Sequence, residues 1–317
     1  MKPSQYIWMN GKLVPWENAT THVMSHALHY GSSVFEGIRC YQTQGAAGPG
    51  RAIFRLGAHL QRLLNSAKIY RLLPAYDQAT LEQACRDVII ENDLNSAYIR
   101  PLIFGGTGSL GVIADERVSR EVVIVAIEWG AYLGEEGLNN GIDCCVTSWR
   151  RTTSASNPVL SKAGGHYLNA ALIGEEARRN GYAEGISVSA NGQVSEGSAE
   201  NLFIVQQGVI YTPPLSAAIL GGITRDSVIQ LARENGFTVV EQELPRELLY
   251  IADEVFLTGT AAEVTPVRSV DGIPVAEGTR GKITKQIQDL FFGLFDGRTE
   301  DKFNWLDRLP CSASVAP

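Results

Sequence analysis

Lys162 stands in the stretch SKAGGHY, residues 161 to 167, among the smallest side chains and with no acid beside it. It reads either as a loop lysine ahead of a helix or as an amine that something flat must approach closely. Three further stretches suit an anion and a carbonyl compound. In LGGITRDS (220–227) two glycines open a helix whose first residues include Thr224. Free N–H groups, the positive dipole end and that hydroxyl can hold a phosphate, or Thr224 is a plain cap. In LTGTAAE (257–263) a strand ends in Gly-Thr-Ala-Ala, where successive N–H groups and Thr260 form either an anion nest or a tight turn. In SEGSAENLF (195–203) Glu196 is a solvated carboxylate, or one that holds a proton on the ring nitrogen of an electron-sink cofactor. In the first half, Tyr30, Phe35 and Gly37 of HALHYGSSVFEGIR (26–39) read as a pocket wall. Tyr98 and Arg100, at i and i+2, share a strand face and can bind a carboxylate or form a strand-face ion pair. His22, His26 and His29 invite a metal, but no acid or cysteine completes a ligand set, so none is expected. Neither GxxxxGK nor GxGxxG occurs in a strand–helix setting.

Elements to carry these residues alternate along the chain. YIWMNGKLV is a hairpin about Asn-Gly, AIFRL (52–56) a strand, and AHLQRLLNSAKIY (58–70) and TLEQACRDVIIEN (80–92) amphipathic helices. SAYIRPLIF (96–104) and REVVIVAIEW (120–129) are buried strands flanking a flexible GGTGSLG. GAYLGEEGLNNG (130–141) has the composition of a linker. Beyond it come the strands GIDCCVTSW, NLFIV and EVFLTG, and helices over 166–180, 223–235 and 282–295, two of them stopped by Gly181 and Gly236. This pattern predicts an α/β protein of two unequal domains.

Composition narrows the function. With 317 residues, 44% hydrophobic and 19% charged, the chain can bury sizeable cores and is not disordered. A formal net charge of −7 without basic runs argues against nucleic acid as the ligand. No signal peptide or membrane-length apolar run is visible, and the five cysteines show no CxxC spacing, which suits a reduced, cytoplasmic enzyme with no membrane partner.

Taken in order, HYGSSVFEGIR, SAYIRPLIF, WGAYLG, SKAGGHY, SEGSAENLF, GITRD and TGTAAEVTPVRSVDG resemble the branched-chain amino acid aminotransferases. These are class IV aminotransferases of pyridoxal-phosphate fold type IV, akin to D-amino acid aminotransferase in fold. The likeness runs from about residue 6 to about residue 308. It implies a smaller N-terminal domain (1–128), a linker (129–138) that contributes to the substrate pocket, and a larger cofactor-binding domain (139–317). It implies pyridoxal 5′-phosphate as cofactor, joined to Lys162, which also carries the α-proton. Tyr167 is then the partner of the ring hydroxyl and Glu196 of the ring nitrogen. Leu220 packs on the ring, and Arg62, Ile223, Thr224 and Thr260 surround the phosphate. Phe35, Gly37, Tyr98, Trp129, Tyr132, Thr260 and Ala261 line the substrate pocket. Arg100 and Tyr30 hold carboxylates, and Tyr30, Leu110 and Val112 reach the site of a neighbouring subunit, so a homodimer is the smallest active unit and a hexamer is open. The implied reaction is ping-pong transamination of leucine, isoleucine and valine with 2-oxoglutarate. Alternatives are a D-amino acid or (R)-amine transaminase, aminodeoxychorismate lyase, or a non-catalytic metabolite-binding protein using the same glycine-rich turns. His166 departs from the asparagine frequent in relatives, without touching a named role.

Overall fold

Asn10 and Gly11 close the first hairpin with φ of 48° and 95°, the pair of positive angles that a two-residue turn needs to match strand twist. They join β1 (Tyr6–Met9) to β2 (Lys12–Pro15) with Met9 opposite Lys12. A computed structural model describes residues 3–45, 48–130 and 134–310 of the chain. The chain divides into two units: Met1–Gly130 with Ser161–Gly165 and Phe295–Pro317, and Ala131–Leu160 with His166–Leu294.

The first unit continues through α1 (His26–Tyr30), β3 (Ser33–Phe35), β4 (Ile38–Gly45), β5 (Gly48–Phe54), α2 (Leu56–Ile69), α3 (Gln78–Glu91), β6 (Ala97–Gly105) and β7 (Arg120–Glu128). The second contains α4 (Gly134–Asn140), β8 (Ile142–Arg150), α5 (Tyr167–Arg179), β9 (Glu184–Val188), β10 (Asn201–Gln206), β11 (Val209–Thr212), α6 (Ile223–Glu234), β12 (Val239–Glu241), α7 (Leu248–Ile251), β13 (Glu254–Gly259), β14 (Glu263–Val270) and β15 (Ile273–Pro274). α8 (Lys282–Asp296) leads out of it, and β16 (Leu306–Leu309) rejoins the first sheet.

The first sheet is antiparallel in every pairing, ordered β16-β5-β4-β6-β7-β1-β2 with β3 against β6. Ile99 and Ile103 of β6 and Val122, Ile124 and Ala126 of β7 point to one face, which α2 and α3 cover with Leu60, Leu63, Leu81, Val88 and Ile89. Each of the valine, leucine and isoleucine side chains contributes roughly 1.5–3 kcal/mol by burial. Asp77 caps α3, accepting from the Thr80 N–H at 2.9 Å. Tyr98 and Arg100 alternate onto the opposite, less buried face of β6.

The second sheet, ordered β12-β11-β10-β13-β14-β8-β9 with β15 against β14, is mixed. β8 runs parallel to both β14 and β9, and β12 parallel to β11. β10 and β13 are buried along nearly their whole length, as expected for strands covered on both faces, and Phe203 and Phe256 stack at 4.8 Å.

The structure revises several expectations. GEEGLNN within the expected linker forms α4. The first unit is not a single N-terminal stretch, because Ser161–Gly165 and the chain from Phe295 onward belong to it. The cause is strand pairing: Ala163 bridges Val34, and β16 pairs with β5 from Leu306 opposite Phe54 to Leu309 opposite Arg51.

Candidate functional site

In the first unit the Lys162 backbone is locked from both sides. Its N–H donates to Ser66 Oγ at 3.0 Å, and its carbonyl accepts from the Phe35 N–H at 3.0 Å. Gly164 packs closely on Ser33, since a Cβ there would sit 2.3 Å from Ser33 Oγ and force that hydroxyl to turn away. The Lys162 ammonium lies 5.1 Å from the centroid of the Phe35 ring, and the Arg100 guanidinium lies 4.6 Å from the same centroid. Phe35 thus carries two cations, an arrangement worth roughly 0.5–2 kcal/mol per pair. Arg100 Nη2 donates to the Tyr98 hydroxyl at 3.0 Å, and the Tyr98 ring meets Trp129 at 5.2 Å. Gly37 makes way for Tyr98, because a Cβ there would fall 1.9 Å from the Tyr98 hydroxyl and displace its ring. These contacts assemble an aromatic wall of Phe35, Tyr98 and Trp129 with one amine and one guanidinium.

The same unit holds a buried cluster that sequence reasoning missed. Glu36 is fully buried and takes Arg62 Nε on Oε1 at 2.6 Å, Arg62 Nη2 on Oε2 at 2.8 Å and His59 Nδ1 on Oε2 at 2.7 Å. Burial pushes the Glu36 carboxyl up, but the charges and hydrogen bonds of Arg62 and His59 outweigh it and hold it well below the usual range. His59 is held below the usual imidazole range, chiefly by burial and against the pull of Glu36. An ionised carboxylate only accepts, so His59 carries its proton on Nδ1. The signal available in sequence was the i, i+3 spacing of His59 and Arg62 on one face of α2.

Tyr30 donates to the Leu110 carbonyl at 2.6 Å, and Leu110 and Val112 are exposed. The nearby histidines bond the backbone or a serine: His26 contacts Ser32 Oγ at 2.7 Å and the Gly111 carbonyl at 2.9 Å, and His29 the Val23 carbonyl at 3.0 Å. Among the described residues no group of three or more His, Cys, Asp or Glu is placed to hold a metal.

In the second unit Glu196 is 2% exposed and surrounded by donors. Oε2 accepts from Asn201 Nδ2 and from the Leu220 N–H, each at 3.0 Å, while Oε1 faces Arg151 Nη2 at 2.5 Å. Asn201 Nδ2 also donates to the Leu220 carbonyl at 2.9 Å, so one amide ties the Glu196 loop to the turn before α6. Neither Arg151 nor Asn201 was singled out from sequence: Arg151 is remote from Glu196 along the chain, and Asn201, though within SEGSAENLF, is brought onto the carboxylate only by the fold of the loop. α6 begins at Gly222 without a side-chain cap, leaving its first-turn N–H groups for another acceptor, with Ile223 and Thr224 buried there. Thr260 and Ala261 fall in the three-residue loop between β13 and β14, where Gly259 pairs with Glu263. Tyr167 opens α5, and Leu220 is half-buried. Tyr132 lies outside the described residues.

The family model for Amino-transferase class IV matches residues 33–270. The chain belongs to the class IV aminotransferases. This aminotransferase is 56% identical over 308 residues to the branched-chain-amino-acid aminotransferase of Escherichia coli (strain K12), covering 97% of this chain and 98% of that one. It superposes on the crystal structure of an Escherichia coli branched-chain amino acid aminotransferase with a TM-score of 0.93 at 57% identity, over 96% of this chain and 99% of the other. The branched-chain amino acid aminotransferase of Thermobaculum terrenum, solved in its PLP-bound holo-form, matches with a TM-score of 0.89 at 34% identity, over 97% and 99% of the two chains.

The aminotransferase's own donor set fits pyridoxal 5′-phosphate. A positioned lysine suits the aldehyde, and a buried carboxylate ringed by donors suits a protonated ring nitrogen. An uncapped helix start with a buried threonine suits the phosphate.

Proposed function

We propose that this aminotransferase moves the amino group of leucine, isoleucine or valine to 2-oxoglutarate, giving branched-chain 2-oxo acids and L-glutamate in a ping-pong cycle. The observation that carries the reading is the wall of Phe35, Tyr98 and Trp129 with a single guanidinium beside it. Such a surface takes an aliphatic side chain on its rings and an acidic one on Arg100. The likeness to the Escherichia coli enzyme supports the same substrates.

Bound pyridoxal 5′-phosphate supplies an aldehyde for the amine and a ring that takes up the electron pair left when the α-proton departs. The protein positions and moves protons around it. Lys162 presents its amine from a backbone held at Ser66 and Phe35, and carries the α-proton. With the cofactor bound, Glu196 would hold a proton on the ring nitrogen, and Tyr167 would bond the ring hydroxyl. As the family resemblance implies, Arg62 of the first unit and Ile223, Thr224 and Thr260 of the second would be offered to the phosphate, Leu220 to the ring, and Gly37 and Ala261 to the substrate.

The test is a paired assay with L- and D-leucine and 2-oxoglutarate. The L-enantiomer should turn over and the D-enantiomer should not; preference for D-leucine would overturn the reading. In Arg100→Met, kcat/KM for glutamate should fall by about 10- to 100-fold while that for leucine changes little, the cost of one charge-assisted contact. Equal losses would remove Arg100 from this role.

The active unit is a homodimer. Val23, Leu28, Tyr30, Leu110, Val112 and Ile113 are exposed in the first unit, and Tyr30 is tied to Leu110. Exposed apolar side chains gathered in this way suit a partner surface, here a second copy to which Tyr30, Leu110 and Val112 are offered. Sedimentation of active enzyme as a 34.4 kDa monomer would contradict it. A cytoplasmic location fits the buried free thiols Cys40, Cys85, Cys144 and Cys145. Among the described residues no helix is long and apolar enough to cross a membrane.

A further inference from the structure

Arg62 is the cation of α2 assigned to the phosphate, yet two of its nitrogens are spent on Glu36. Coulomb's law alone makes this a poor arrangement, because a carboxylate beside the guanidinium weakens its pull on an anion. Stability does not account for it either. Burying an ion pair costs about as much desolvation as the attraction returns, and well-packed apolar residues commonly do as well. What the arrangement supplies is direction.

We propose that Glu36 and His59 are positioning residues that aim Arg62 at the cofactor phosphate. The inference rests on the reading that Arg62 binds that phosphate. A guanidinium is rigid and planar, so holding Nε and Nη2 in a two-pronged grip fixes the plane of the group and the direction of Nη1. Glu36 can serve as the fixed jaw because it cannot itself swing. Its backbone N–H donates to the Pro101 carbonyl at 2.9 Å, and its side chain is fully buried. His59, one turn before Arg62 and 1% exposed, donates Nδ1–H to Oε2 at 2.7 Å and stops the carboxylate from rotating. The Gly37 N–H approaches the same oxygen at 3.3 Å. The segment FEG thus sets two things at once: Phe35 the wall beside Lys162, and Glu36 the aim of the arginine.

Direction and charge predict opposite signs for Glu36→Gln, which makes the test sharp. The full-length enzyme is converted to its pyridoxamine 5′-phosphate form, in which no bond to Lys162 retains the cofactor, and the release rate is followed by absorbance. Binding of pyridoxamine, which lacks the phosphate, is measured alongside. Glu36→Gln should release pyridoxamine 5′-phosphate about 10- to 100-fold faster, as when an orienting partner of a binding group is lost, with pyridoxamine affinity nearly unchanged. Slower or unchanged release overturns the inference, and so does equal weakening of both ligands, which marks a merely structural role. Should Glu36→Gln fail to fold, His59→Asn reads the same point through a smaller loss, about threefold or more, for the phosphorylated ligand alone. Arg62→Met separates the two levels. If it leaves the preference for the phosphorylated ligand intact, the assignment of Arg62 fails and the inference with it. If it abolishes the preference while Glu36→Gln preserves it, only the positioning role fails.

Discussion

Lys162→Ala should abolish turnover together with the visible absorption band of the cofactor-loaded enzyme. The side chain is half-buried, and its main-chain hydrogen bonds to Ser66 Oγ and Phe35 survive truncation. Loss of the fold is therefore not the expected outcome, and the thermal midpoint should stay within a few degrees of the parent. The chemical loss is large because the proposed mechanism gives one amine two jobs. As a proton carrier alone it is worth about 10²- to 10⁴-fold in kcat, and as the nucleophile that joins the cofactor aldehyde it has no substitute among the described residues of its segment. Binding of pyridoxamine 5′-phosphate should persist, since it needs no such bond. Absorbance spectra, single-turnover assays with L-leucine and a melting curve measure the three effects separately. Retained steady-state turnover would remove Lys162 from its role.

Glu196→Gln carries the second largest expected effect, through electrostatics. The carboxylate accepts from Asn201 Nδ2 and the Leu220 N–H on one oxygen and faces Arg151 on the other. An amide oxygen can keep the first two bonds, but the amide nitrogen then confronts the Arg151 guanidinium, donor against donor. In the proposed role the ring nitrogen would lose its counter-charge where the reacting electrons are to be accommodated. Removing one such stabilising contact in a buried site lowers kcat by about 10²- to 10³-fold. Breaking a buried ion pair can also cost up to about 3–5 kcal/mol of stability, so melting curves must accompany the kinetics. Glu196→Asp keeps the charge on a shorter arm and should recover part of the loss. A kcat for Glu196→Gln within threefold of the parent, at full cofactor occupancy, sinks the assignment.

A third acidic feature shares the loop that carries Glu196. Glu184 and Glu200 are both buried, and burial pushes each carboxyl up, with the neighbouring acid adding to the rise of Glu200. Glu184 Oε1 nonetheless accepts from the Gly185 N–H at 2.6 Å and the Ser198 N–H at 3.2 Å, and Glu200 Oε2 from the Ala199 N–H at 3.0 Å. The loop is thus folded around acids that bond its own backbone, which helps explain how a short SEGSAEN stretch holds a fixed shape.

Much of the secondary structure was legible from local pattern. The hairpin about Asn10-Gly11, the amphipathic helices α2 and α3, and the strand Glu254–Gly259 lie where period and turn chemistry put them. The strands β4, β11, β14 and β16 were not anticipated, because short or two-sided buried runs carry no clean alternation. The ordered motifs sufficed for the family, since several independent stretches in one order leave few other folds open.

By itself the sequence determined the chemistry available: an amine among glycines, a glycine-led helix start with a threonine, a carboxylate in a short loop, and an aromatic strand face with one arginine. Only the tertiary structure decided who holds whom. That Lys162 is stitched to Phe35 and Ser66 of the first unit, that Glu36 grips Arg62 and His59, and that Arg151 and Asn201 surround Glu196 all depend on contacts between residues 5 to 127 positions apart. Propensity and periodicity act over a turn or a strand, whereas such pairings are set by how whole sheets and helices close on one another. Their energies exist only once that closure has removed the water.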